Sequence, residues 1–361
     1  MNETLPGQVV LVLQGGGALG AYQVGVYQAL HEAGIEPDWV IGTSIGAING
    51  SIIAGNAPAD RLAKLDAFWS RVRREPAHEA ARWFPAWDAA LANLGTFTQG
   101  IDGFFRPNPQ ALWGMHAPVG VESAAFYLTV PLAETLAELV DFGRINGARP
   151  RLSLGAVSVS RGEMRYFDSQ EMAIGPRHVM ASGALPPAFP AVRIDGEPYW
   201  DGGIYSNTPV EAVLDDEPRR DSVIFSVNVW DGAGPEPESI WQALGRHKEI
   251  QYASRAKSHI ARQDQLHRLR HVIRALVGRI PEASRDAEVR EFASYGCGTT
   301  MHLIRLVAPR LEGEDLNKDI DFTAAGIRAR REAGYAATRR MIERAPWREP
   351  CGTLDGILIH E

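Results

Sequence analysis

Five apolar residues, Val9 to Leu13, lead through Gln14 into Gly15-Gly16-Gly17-Ala18-Leu19-Gly20, and apolar positions then recur at helical spacing from Leu19 to Leu30. A buried strand, a glycine turn and a helix in that order open a βα unit, and nothing else in the chain constrains its fold as tightly. Gly34 is placed to stop the helix, and Trp39 to Ile41 gives a short second strand. Helices are expected over Ile45 to Ala54, Ala59 to Arg74 and Pro131 to Val140. Arg151 to Val159 and Met164 to Phe167 read as a hairpin turning at Arg161-Gly162, and Val223 to Val229 as another buried strand. The alternation predicts an α/β fold with a mostly parallel sheet.

The glycine loop admits three readings. Gly15, Gly17 and Gly20 satisfy the dinucleotide fingerprint G-x-G-x-x-G, and Asp38 lies about 20 residues on. A ribose-binding carboxylate belongs at the far end of the second strand, however, whereas Asp38 stands before Trp39-Val40-Ile41. Alternatively, backbone N–H groups of Gly15, Gly16 and Gly17 at a helix N-terminus can hold a developing oxyanion. The third reading is a tight turn that needs positive φ.

Gly42-Thr43-Ser44-Ile45-Gly46 matches G-x-S-x-G, the sharp strand-to-helix turn that lifts a serine above a sheet. Gly42 and Gly46 are required because bulk there would collide across the turn. Ser44 is therefore a candidate nucleophile, with a simple helix cap as the alternative. Such a serine needs a base. His247, His259, His267, His271, His302 and His360 are candidates for a Ser-Asp-His triad, but four lie in a basic helical stretch where a solvated face accounts for them. Asp201-Gly202-Gly203, preceded by Tyr199-Trp200, is the stronger candidate. Its apolar flank would raise the carboxyl pKa and its small neighbours admit a second loop; a plain Asp-Gly turn is the alternative.

A formal charge of -7 over 361 residues argues against a nucleic-acid partner. Met1 to Gln8 lacks a secretory pattern, no run approaches the roughly 18 apolar residues of a spanning helix, and Cys297 and Cys351 lack metal-ligand spacing. A reducing cytoplasm is the expected compartment. Phe68 to Trp113 carries four of the nine Trp and five of the twelve Phe, broken by Pro and Gly; it reads equally as the wall or lid of an acyl-chain site and as core. Ile240 to Val277 is a long helical pattern with Arg246, Lys248, Arg255, Lys257, Arg262, Arg268, Arg270 and Arg274 against Glu249 and Asp264. Contact with an anionic membrane, a solvated face and an intramolecular acidic partner all remain open for it. A strand, His302 to Val307, and a helix, Thr323 to Arg344, complete the reading.

Together the glycine loop, the serine turn and Asp201-Gly202-Gly203 resemble the patatin-like phospholipases. Ala181-Ser182-Gly183-Ala184-Leu185-Pro186-Pro187-Ala188-Phe189-Pro190 and Asn207-Thr208-Pro209-Val210 are similar to further blocks of that family, and the resemblance covers roughly 9–229. The tail, with Asp319-Ile320-Asp321-Phe322, Ile327-Arg328-Ala329-Arg330 and Gly334-Tyr335, resembles the C-terminal extension of a bacterial subgroup. The resemblance implies a three-layer α/β/α sandwich, a catalytic domain over 5–235 and a mainly helical extension over 236–361 that adds one strand near 302–307. It implies lipid acyl hydrolysis by a Ser44–Asp201 dyad in lipid catabolism, an oxyanion hole at Gly15 to Gly17, an acyl-ester substrate, and neither metal nor organic cofactor. A noncatalytic lipid-binding protein is the rival reading. The family usually has Arg or Lys where this chain has Leu19, which predicts a bias toward neutral or weakly charged esters.

Overall fold

The computed structural model describes residues 5–74, 99–147, 150–311 and 314–361. Strands β1 (Gln8–Leu13), β2 (Trp39–Thr43), β5 (Arg151–Ser158), β9 (Ser222–Asn228), β10 (Met301–Val307) and β11 (Ile357–His360) form a parallel body in the order β11-β10-β9-β1-β2-β5. Antiparallel strands β6 (Met164–Asp168), β7 (Val192–Ile194) and β8 (Glu197–Asp201) complete the nine-stranded sheet, beyond β5.

Alternate residues of β1 enter two separate cores, because successive side chains of a strand point to opposite faces. Val9, Leu11 and Leu13 pack under α1 (Ala21–Glu32) and α2 (Ile45–Ala54), whereas Val10 and Val12 pack with Val213, Leu214 and Ile260 on the other side. Helix α3 (Pro58–Val72) joins the first layer through Leu65, Phe68 and Trp69. Ile260 belongs to the 39-residue helix Ile240–Gly278, here α8. The molecule is the expected α/β/α sandwich with a mostly parallel sheet.

Two short strands, β3 (Arg106–Pro107) and β4 (Tyr127–Leu128), pair apart from the main sheet. Helices α4 (Val130–Leu139), α5 (Phe142–Gly147), α6 (Pro176–Ser182), α7 (Glu211–Leu214), α9 (Ala287–Ser294) and α10 (Ala324–Arg344) complete the described helices.

The C-terminal portion is less separate than a helical extension would be. It adds two strands to the sheet, β10 and β11, where the sequence suggested one, because Ile357–His360 is too short for its period to register. Helix α10 lies directly on α1: a Cβ added at Gly334 would come 2.1 Å from the Tyr22 carbonyl oxygen, and one added at Gly25 1.9 Å from that of Arg331. The two backbones therefore touch, which glycine alone permits. Gly334→Ala should prise these helices apart and destabilise the protein by at least about 2 kcal/mol, the scale of an overpacked contact, in urea unfolding. A variant with unchanged midpoint would show that this crossing bears no load.

Candidate active site

The site forms where β5 exchanges neighbours. On one edge β5 pairs with β6 from Ser153 to Val157. On the other, β2 pairs with Arg151 to Gly155 and β8 takes over from Ala156 to Ser158. Thr43 lies opposite Gly155 and Asp201 opposite Ala156. Ser44, leaving β2, and Asp201, ending β8, are thus brought side by side by hydrogen-bond register alone.

Ser44 has φ 56° and ψ -124°, a strained conformation for a residue with a side chain. Its N–H donates to both the carbonyl oxygen and Oγ of Ser182, 3.1 Å each, and Ser182 in turn donates to the Gly155 carbonyl at 2.6 Å. Close approach explains the flanking glycines: a Cβ at Gly42 would come 2.3 Å from the Gly46 carbonyl oxygen, and one at Gly46 2.2 Å from that of Leu13. Although Ser44 occupies the cap position of α2, its side chain makes no capping hydrogen bond. The hydroxyl instead faces Asp201, close enough to favour its ionised form, and both residues line one cavity.

Asp201 is 2% exposed and also accepts from the Gly203 N–H at 2.7 Å. Burial pushes its carboxyl up to about 7, against the pull of the Gly203 hydrogen bond and the nearby Ser44 side chain. That places its titration where a general base works best near neutrality. The Asp-Gly turn is real, and the same turn presents the acid.

In the glycine loop, the Gly15 N–H donates to the Asn207 carbonyl at 3.1 Å, so Gly15 is not the free oxyanion donor the sequence suggested. Its own carbonyl is held by Asn207 Nδ2 (3.1 Å) and Trp230 Nε1 (2.9 Å). The Ala18 N–H donates to the Asp319 carbonyl at 2.8 Å. The N–H groups of Gly16 and Gly17 have no partner among the described residues, and both glycines line the cavity with Ser44. Asp38 caps the Val9 N–H at 3.0 Å, at the start of β1 and the opposite end of the strand from the loop, so no ribose carboxylate stands there.

A buried amide network that sequence reasoning missed anchors the loop. Gln14 Oε1 accepts from the N–H groups of Val229 and Trp230, and its Nε2 donates to Thr208 at 2.6 Å. Gln23 donates to the Gln14 carbonyl at 2.6 Å and accepts from Asn49, which accepts from the Trp69 indole at 3.0 Å. A lone Gln or Asn in an apolar helix gives no pattern to find.

The cavity, about 170 Å³, is walled by Ile45, Ile48, Phe104, Phe105, Tyr127, Leu185, Phe189 and Phe322. Phe104 and Phe105 make the aromatic segment a wall here, while Phe68 and Trp69 are core; its portion 75–98 lies outside the described residues. Among the described residues, Asp201 and Asp319 are its ionisable carboxylates and no Lys or Arg lines it. Leu19 is buried and lines a separate small space beside Tyr22. Among the described residues no histidine lines the cavity. His267 and His271 are buried, which corrects the solvated-face reading: His271 contacts the Thr353 and Thr299 carbonyls, and burial drives His267 down to about 4. His302 stacks on His360 between β10 and β11. Among the described residues no cluster of His, Cys, Asp or Glu is arranged to hold a metal.

A strained serine at the C-terminal end of parallel β2, beside a buried carboxylate at the end of antiparallel β8, places the chain in the serine-hydrolase class. Residues 11–214 match the family model described as patatin-like phospholipase, and residues 250–353 one described as patatin phospholipase. The chain belongs to the patatin-like phospholipase family. Lysophospholipase nte1 of Emericella nidulans is 59% identical over 245 residues, 66% of this chain and 13% of its own length. Patatin-like phospholipase domain-containing protein 6 of Homo sapiens is 43% identical over 63 residues, 18% of this chain and 5% of its own. This chain thus spans a small fraction of those relatives. The crystal structure of VipD from Legionella pneumophila overlaps 94% of this chain and 67% of its own at 18% identity and a TM-score of 0.40.

The raised pKa of Asp201 is also a statement about stability. A carboxyl bound more tightly to its proton in the folded state stabilises fully below its unfolded pKa, and that contribution is lost as pH rises through about 7. Asp201→Asn removes the buried charge, so its melting temperature should exceed the parent's, by more at pH 8 than at pH 5. Equal gaps at the two values would contradict the assigned burial effect.

Proposed function

We propose that the protein hydrolyses carboxylic esters of lipids through a Ser44–Asp201 dyad, without histidine. The strained Ser44 set beside the buried Asp201 in one cavity carries this reading. Asp201 takes the proton as Ser44 Oγ attacks the ester carbonyl, and the N–H groups of Gly16 and Gly17 receive the oxyanion. Collapse releases the alcohol with that proton and leaves an acyl-enzyme. Water then loses a proton to Asp201 and attacks the acyl carbon; collapse breaks the acyl–Oγ bond, releases the carboxylic acid, and Asp201 returns the proton to Ser44 Oγ. The aromatic and aliphatic walls suit an acyl chain, and a lining that among the described residues has two carboxylates and no cation favours neutral or zwitterionic esters over anionic ones. Lysophospholipids, the substrate class implied by the name of the lysophospholipase relatives, fit this description. The domain limits 5–235 and 236–361 remain part of the proposal, with the second portion lending Asp319, Ile320 and Phe322 to the cavity. The compartment is proposed to be the cytoplasm; among the described residues no helix is long and apolar enough to cross a membrane.

Ser44→Ala should abolish both ester turnover and fluorophosphonate labelling while circular dichroism stays unchanged; persistent labelling would move the nucleophile elsewhere. The base must be deprotonated to act, so kcat/KM should rise with pH through about 7 and level off above it. Replacing any of the six histidines singly should leave most activity. A loss of about a thousandfold at one of them, the scale of a missing acid or base, would restore the triad.

A further inference from the structure

We propose that the excursion from Arg106 to Phe126 inserts into a lipid surface and seats the mouth of the catalytic cavity against it. The chain leaves the cavity wall at Phe105 and rejoins it at Tyr127, and the β3–β4 pairing closes the base. Inside the loop Asn108 donates to the Ser123 and Ala125 carbonyls (2.9 and 2.7 Å) and caps the turn at Pro109–Trp113. The loop is therefore built, and its tip is held outward. Leu112 is 88% exposed, Trp113 69% and Met115 87%. Single apolar residues on a surface are ordinary, but three large ones within four positions of a projecting tip are not.

The occupant follows from charge. From Pro107 to Val121 the chain has no Asp, Glu, Lys or Arg, and His116 is its single ionisable side chain. A protein partner would need polar partners around the apolar centre, whereas a bilayer interface asks for apolar burial with a Trp at the headgroup level. Phe126 and Val130, 44% and 46% exposed, extend the patch to the loop's root. An acyl chain leaving the surface there would meet Phe105, Tyr127 and Phe189, whose rings lie 4.9 to 6.3 Å apart. On α8, by contrast, Arg246 and Lys248 are paired with Glu249 and Asp319. The contact proposed is thus apolar and insensitive to salt.

Its purpose rests on the ester-hydrolase reading, but its test does not. Full-length Ser44→Ala protein is sedimented with phosphatidylcholine vesicles at low and high salt, so that no lipid is consumed. Binding should be the same at both salts, and adding Leu112→Ser, Trp113→Ser and Met115→Ser together should weaken it about a hundredfold with the melting temperature unchanged. Failure of the parent to sediment, or parent-like binding by the triple variant, overturns the proposal. So does binding that is lost at high salt and in Arg262→Glu/Arg268→Glu, which would assign the contact to α8. A triple variant that changes oligomeric state in gel filtration while still binding vesicles would make the patch a contact between copies. A dead dyad leaves every one of these outcomes readable.

Discussion

The site depends on β5 being shared along one edge by two strands of opposite direction. A backbone N–H or carbonyl that loses its partner inside a protein must find another, so β2 can end at Gly155 only because β8 begins at Ala156. The seam between them is where Ser44 and Asp201 can meet without either backbone being left unsatisfied. Gly155 occupies it because there is no room for more: a Cβ there would lie 3.0 Å from Thr43 Oγ1, and its carbonyl oxygen would be 2.5 Å from a Cβ on Gly202. That carbonyl accepts from Ser182, which holds the strained Ser44 backbone. Strain at Ser44 is thus sustained by hydrogen bonds that close around one glycine.

Burying Asp201 at this seam is costly for folding and useful for chemistry for the same reason. Desolvation makes the carboxylate a stronger base, and the Ser44 hydroxyl and Gly203 N–H keep it from being wholly unpaired. Asp319, the other carboxylate of the cavity, is treated differently: Lys248 sits 2.7 Å from both of its oxygens. One acid is desolvated beside the serine, and the other is held in an ion pair.

The segments with strong local pattern were legible in the sequence. The strand, glycine loop and helix from Val9 to Leu30, the Gly42 to Gly46 turn and Asp201-Gly202-Gly203 all announce themselves, because backbone crowding leaves few residue types able to serve there. Asp201 was read in a turn, and the structure shows it as the last residue of β8, since Glu197–Asp201 is short and contains Pro198. What stayed hidden was long-range. Gln14, Gln23 and Asn49 are unremarkable by type, and their value lies in who faces them. The pairing of the Gly15 N–H with Asn207 likewise follows from a contact 192 residues away in sequence, which no local spacing encodes.

The same reasoning changes the standing of the C-terminal portion. The glycine loop has several backbone donors in close order, and which of them remain free depends on what takes the others. Asn207 takes Gly15; Asp319, from the far end of the chain, takes Ala18 through its carbonyl oxygen. That carbonyl approaches so closely that a Cβ at Gly17 would come 2.2 Å from it, with Gly17 held at φ 54°. Asp319 is positioned in turn by Lys248 on α8. The nearby Glu249 binds Lys318 and Arg310 at 2.6 and 2.7 Å, tying both flanks of this segment to the same helix. The segment from Lys318 to Phe322 therefore shapes the loop as directly as β1 does. A tail without catalytic residues of its own selects which N–H groups face the cavity.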